Sequence, residues 1–396
     1  MKRTFGVVAL WLMAAVASAE GVSGLAEGDN GFAFKLFGHV LQGSAAQNIF
    51  ISPYSVSVAL QMLCNGAAGK TRAEIQGALN TGGLPQDDIN GYYKNLNGAL
   101  ASQTNVVLDL VNSIWANRGF ELKPSFVYTN EAFFQAVLGS VNFETPESAD
   151  TINRWATDST RGKITGVVSF PFPANTEVIL ANAVYFKGDW AKPFDKSLTR
   201  PRYFYLGGGL IKQMPMMLRR GNFQYEEGDG YQAVELPYAG DRLQMVLFLP
   251  ATNSSPAKLL AGLTGKSWQD KILPRFLNRD GMVVFPKFRL NFQALLNGPL
   301  QGLGMQDAFI PGSANFSGMS GDPLCVSEVL QKSYVNVDEQ GTEAAAVTTV
   351  RIRATAMMRP LPPFEMIVDR PFFFVISDRF TGTILFMGVV SDPTLH

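Results

Sequence analysis

Residues 177–187 read EVILANAVYFK, a near-continuous apolar run. Such a run fits a strand covered on both faces, because neither face offers its side chains to water. A chain with that strand needs a sheet with a layer on each side. Helical and strand patterns interleave around it in blocks. Length alone would suggest two or three domains of roughly 150 residues. Yet Pro and Gly are scattered, no low-complexity run or internal repeat appears, and no stretch reads as a linker. The pattern therefore predicts one large α+β unit with big antiparallel sheets.

The first half is mainly helical. Gly31 to Gln42 is amphipathic. Ser52-Pro53 opens a second helix with Ser at the N-cap and Pro at N1, where unpaired N–H groups make both favourable; it runs through Leu63 and stops near Gly66. Thr71 with Glu74 three residues on predicts a capping box for a third helix. A fourth spans about Asp88 to Leu100, and Asp150 to Thr160 forms another. Asn105 to Asn117 reads as a strand. Further on, Tyr203–Tyr205 and Leu210-Ile211 flank a glycine turn at Gly207–Gly209, and Ala233–Leu236 and Leu243–Leu249 pair around Tyr238–Asp241. Met282 to Phe292 alternates as one strand, and Phe372–Ile376 and Ile384–Val390 read as two buried strands.

Composition removes several function classes. Lys+Arg and Asp+Glu each number 33, so nothing marks a nucleic-acid binder. The only histidines are His39 and the terminal His396. Most Ser-His-Asp, Cys-His and His-ligated metal schemes would then rest on His39 alone, so neither an enzyme nor a metal site is expected. Cys64 and Cys325 are too few for a disulfide scaffold or a multi-Cys metal centre. Cys64 follows the run Val58–Leu63 and reads as a core residue, although export would permit a bridge to Cys325. Lys2-Arg3, the apolar run Phe5–Val16 and Ala17-Ser18-Ala19 form a signal peptide over 1–19, so the expected mature chain is 20–396, secreted to an extracellular or periplasmic space. No other stretch is apolar for about 18 residues, so no membrane span is expected.

The tempting motifs have plainer readings. Ala68-Gly69-Lys70-Thr71 lacks the earlier glycine of a phosphate loop and follows a helix. Gly207–Gly209 lacks dinucleotide-binding spacing. The doublets Asp87-Asp88 and Glu226-Glu227 read as solvated faces, and Arg219-Arg220 is slender evidence for a polyanion contact. Asn253-Ser254-Ser255 and Asn315-Phe316-Ser317 could accept glycans in a secretory pathway. The unusual segment follows Glu339. Thr342, Ala344, Ala346, Thr348, Val350, Ile352 and Ala354 are small or apolar, whereas the intervening positions are mostly polar. This is a strand pattern with one face fit to bury, free of Pro up to Arg359, yet it leads into the loop-like Met357–Pro363. It fits either an ordinary strand ending at Pro360 or a conditional strand, outside the sheet in one state and inside it in another.

Asn48–Ser55 (NIFISPYS), Gly66–Thr71 (GAAGKT), Ile152–Trp155 with Gly162–Ile164, Asn182–Trp190 (NAVYFKGDW), Glu235–Tyr238 (ELPY), Asp338–Ala346 (DEQGTEAAA) and Asp369–Phe372 (DRPF) follow one another along nearly the whole mature chain. In these blocks and in their order the chain resembles the serpins. The resemblance implies an α+β fold of three β-sheets with about nine helices and an exposed reactive loop at 340–365, and it favours the conditional strand. It implies no cofactor, and a monomer that traps a serine protease, or a cysteine protease as a second target class, by inserting its cleaved loop into the central sheet. The alternative is a non-inhibitory carrier or chaperone whose loop is cleaved as a plain substrate. The resemblance assigns a hinge to Glu339, Gly341, Thr342, Ala344, Ala345 and Ala346. It assigns the region where the sheet opens to Ser52, Ser55, Asn182, Gln331 and Trp190. Gln331 stands where the family usually has His; since an amide both donates and accepts, the network there should survive with a different response to pH. The usual distance from the hinge glycine puts the scissile bond at Thr355-Ala356. The loop looks longer than usual, so Arg353-Ala354, for a trypsin-like enzyme, and Met357-Met358, for an elastase- or chymotrypsin-like one, stay open.

Overall fold

Ser52 accepts a hydrogen bond from the N–H of Ser55 and Pro53 occupies the first helical position, so the second helix starts where its sequence says it should. The computed structural model describes residues 4–43, 47–341 and 362–395, with side chains from residue 24 onward. The order is α1 (Thr4–Gly43), β1 (Ile49–Ile51), α2 (Pro53–Gly66), α3 (Gly69–Leu79), α4 (Gln86–Ala101), β2 (Val106–Asn117), α5 (Pro124–Phe134), β3 (Val137–Val141), α6 (Pro146–Ser159) and β4 (Val178–Gly188). The second half holds β5 (Arg200–Tyr205), β6 (Ile211–Gly228), β7 (Tyr231–Pro237), β8 (Leu243–Pro250), α7 (Pro256–Leu260), α8 (Gly265–Ser267), β9 (Leu277–Pro286), β10 (Phe288–Leu295), α9 (Asn297–Gly302), β11 (Val326–Val337), β12 (Phe364–Ile367), β13 (Phe372–Asp378) and β14 (Ile384–Val390).

Among the described residues the strands form two hydrogen-bonded sheets. One has five strands in the order β10-β11-β4-β2-β3. The other has nine, in the order β1-β14-β13-β8-β7-β6-β9-β12, with β5 also on β6. The long strand β6 accounts for two connected sheets where three are implied. Its start pairs with β5, its middle with β9 and its end with β7, so it joins two groups of strands into one ladder. Strand β4 is buried along almost its whole length, as its composition requires. Helix α2 packs on both sheets, and one apolar cluster runs continuously from α1 and α2 through β13 and β14 to β4 and β11. A smaller cluster lies under α6.

Two local expectations change. Helix α3 begins at Gly69 with Ala68 as its cap residue, so Thr71 lies within the first turn. Its hydroxyl instead accepts the N–H of Asn315, while Glu74 accepts the N–H groups of Gln306 and Asp307. The 282–292 alternation is two strands, because the chain leaves one sheet at Pro286 and joins the other at Phe288. Cys64 and Cys325 are both buried and both free thiols.

Candidate functional site

Strands β4 and β11 lie side by side and parallel, and polar residues bridge the seam between them. Asn182 stands opposite Gln331 across the seam and opposite Asn112 on its other side. These residues meet the first turn of α2. Gln331 Oε1 accepts the N–H of Ser52 at 2.8 Å; its Nε2 donates to Ser52 O at 3.0 Å and to Asn182 Oδ1 at 2.5 Å. Asn182 Nδ2 donates to Ser55 Oγ and, at 2.5 Å, to Asn112 Oδ1. Ser52 Oγ donates to Leu385 O at 2.7 Å. Ser52, Ser55, Asn182 and Gln331 are at most 2% exposed, so water is a poor substitute partner. The amide thus acts as donor and acceptor here without carrying a titratable group. Such bonds contribute about 1 kcal/mol each, yet leaving one buried partner unmatched costs about 1–3 kcal/mol. The seam is therefore sensitive to single substitutions.

Beyond Val337 the chain turns at the end of this seam. Gly341 N–H donates to Asp338 O at 3.2 Å and Gln340 N–H to Asp338 Oδ1 at 3.0 Å. The segment after β4 holds the turn. Trp190 N–H donates to Gln340 O at 3.0 Å, Phe194 N–H to Glu339 O at 2.7 Å, and the Trp190 indole N–H to Asp338 O at 2.9 Å. Trp190 itself is stacked on Tyr238, with ring centres 4.7 Å apart. Glu339 is buried and accepts from Lys287 Nζ at 3.0 and 3.1 Å and from Thr199 Oγ1 at 2.8 Å. Burial pushes its pKa up, but the bonds from Lys287 and Thr199 outweigh that and hold it below the ordinary value.

Gly341 has φ +88°, and a Cβ on it would lie 2.3 Å from Trp190 N and 2.4 Å from Gly188 O. No other residue fits so close to the end of β4. Because β4 and β11 are parallel, a chain that reversed here and ran down the seam would be antiparallel to both.

The structure thus brings Ser52, Ser55, Asn182 and Gln331 into one cluster and Trp190, Glu339 and Gly341 into another. Thr342, Ala344, Ala345, Ala346, Arg353, Ala354, Thr355, Ala356, Met357 and Met358 lie outside the described residues. Asn112, Lys287, Thr199 and Phe194 join these clusters without having been singled out in the sequence. The one local signal was a polar Asn112 within an otherwise strand-like run. Asp87 and Asp88 are exposed in the first turn of α4, where acids favour the helix dipole. Glu226 is buried against Tyr231 and Arg275.

A family model described as serpin, serine protease inhibitor, matches residues 27–393. An uncharacterised serpin-like protein of Thermococcus kodakarensis is 36% identical over 92% of this chain and 84% of its own length. Glia-derived nexin of Rattus norvegicus is 35% identical, with 91% of each chain covered. The crystal structure of the thermophilic serpin tengpin in its native state superposes with a TM-score of 0.84 at 29% identity, covering 93% of this chain and 94% of that one.

Proposed function

The chain belongs to the serpin family, and from that premise we propose that it is a secreted, monomeric suicide inhibitor of serine proteases with no turnover of its own. The observation that carries this reading is the turn at Asp338–Gly341, seated over the seam between two parallel strands. A protease attacks a carbonyl in the segment beyond Gly341 with its serine oxygen. The C–N bond breaks, the new amine leaves, and an ester joins the two proteins. Residues from Thr342 onward are then free to enter between β4 and β11. Thr342, Ala344 and Ala346 are small enough to pass into a packed sheet, and none lacks an N–H for the ladder. Entry carries the esterified protease along, and its displacement stalls hydrolysis of the ester.

The test is incubation of the mature chain with trypsin, elastase and chymotrypsin, read on denaturing gels. A complex that survives boiling supports inhibition. A clipped chain without complex would overturn it in favour of a carrier or chaperone, and turnover of a small substrate would point to an enzyme. Thr342→Arg or Ala346→Pro should convert trapping into plain cleavage. Arg353→Ala should abolish trapping of trypsin if Arg353-Ala354 is the cleaved bond; sequencing of the released peptide discriminates this from Thr355-Ala356 and Met357-Met358.

A further inference from the structure

Arg219 on β6 is a cation that no acid among the described residues answers. Its guanidinium lies between two rings, 4.9 Å from the centre of Phe194 and 4.5 Å from that of Phe223. One N–H donates to Lys192 O. Among the described residues no carboxylate pairs with it, and burial alone pulls its pKa down to about 10, which still leaves it protonated at neutral pH. The group lines a cleft of about 270 Å³, together with Lys192, Gln224, Asn278 and Arg379. Two acids also line the cleft, Glu235 and Asp241. The charge that Glu235 meets is that of Arg379, which also donates to Asp241 O at 3.2 Å. Arg379 therefore has an acid to answer its charge, whereas among the described residues Arg219 has none.

A guanidinium clamped between two rings has its plane set in advance, and its unused N–H groups form a planar fork. That fork pairs bidentately with a carboxylate or a phosphate, and Glu235 and Asp241 on the cleft wall repel a singly charged carboxylate less than a phosphate dianion. A half-buried cation without a counter-ion also gains more from an arriving anion than a solvated one does. We propose that this cleft binds a small organic carboxylate, paired in bidentate fashion by Arg219, with Gln224 and Asn278 offering amide donors to the rest of the molecule.

Titration calorimetry of the intact chain with benzoate, at ionic strength held constant with sodium chloride, tests this. Saturable one-site binding is expected. Arg219→Lys keeps the charge but loses the fork, and should weaken binding at least about tenfold; Arg219→Gln should abolish it. Arg161→Gln removes a cation paired with Asp109 on the other sheet and should leave binding unchanged. Heats of dilution alone for the wild type, equal affinity in Arg219→Lys, or inorganic phosphate binding as tightly as benzoate would each overturn the assignment. Should Arg219→Gln fail to fold, the lysine variant decides.

Discussion

Gln331 joins Ser52 and Asn182 through three hydrogen bonds inside a seam that water does not reach. Leucine fills a similar volume but would strand the N–H of Ser52 and one oxygen of Asn182, while Ser52 O would keep the N–H of Val56. Gln331→Leu should lower the unfolding free energy in urea by roughly 3 kcal/mol, the cost of two unmatched buried groups; a loss under about 1 kcal/mol would mean that other contacts hold the seam. A second residue sets a pH dependence. Asp29 on α1 is buried, with the hydroxyl of Tyr93 donating to it at 2.7 Å. Burial raises its pKa to about 7, against the smaller opposing effect of hydrogen bonds from Tyr93 and Tyr92. The folded state therefore holds a proton that the unfolded state releases near the ordinary carboxylate value. Stability from this group is full at acid pH, falls as pH rises from about 4 to about 7, and levels off above that. Asp29→Asn should flatten this slope, seen as a melting temperature that drops less between pH 5 and pH 8 than in the wild type. An identical drop would show that Asp29 is ionised throughout that range.

The turn after β11 shows how an element is held by its neighbours. Its backbone carbonyls at Glu339 and Gln340 accept the N–H groups of Phe194 and Trp190, and its Gly341 rests against the last residue of β4. Gly341→Ala would add both a positive-φ penalty and a clash with backbone atoms, of order 2 kcal/mol or more. The turn should leave its slot, and amide exchange at Trp190 and Phe194 should quicken about tenfold or more. Unchanged protection would show that the turn tolerates a Cβ there. The strands on either side differ in how readable they were. The seam needs β11 as much as β4, yet β11 mixes Lys332, Ser333 and Asn336 with its apolar residues and did not stand out. Lys287, the partner of Glu339, sits between β9 and β10 where the alternation looked unbroken. Side chains alternate alike on both sides of that break, so the pattern carried no sign of the change of sheet.

For the whole molecule, the parallel seam between β4 and β11 is a place where the proposed mechanism gains free energy. One strand of ~12 residues inserted there would make antiparallel pairs on both sides. At about 1 kcal/mol per hydrogen bond this is on the order of 10 kcal/mol, as large as the stability of many domains. The chain nicked beyond Gly341 should accordingly melt higher than the intact chain, by on the order of 10 °C or more. Calorimetry of both forms checks it, and a nicked form that melts no higher would defeat the insertion reading.

The sequence by itself determined the α+β class, the doubly covered β4, the start of α2 at Ser52-Pro53, the turn at Tyr238–Asp241 and the family signature. Each is read from short runs of adjacent residues, single or in series along the chain, where caps, turns and alternation act through the local backbone. The tertiary structure alone decided the rest. Thr71 trades the role of cap for a bond to Asn315, 244 residues away, and β6 knits two groups of strands into one sheet. Lys287 finds Glu339, and among the described residues Arg219 meets no acid. The reason is physical: charge pairing, strand neighbours and burial depend on distance in space, which a chain of scattered signals does not state until it has folded.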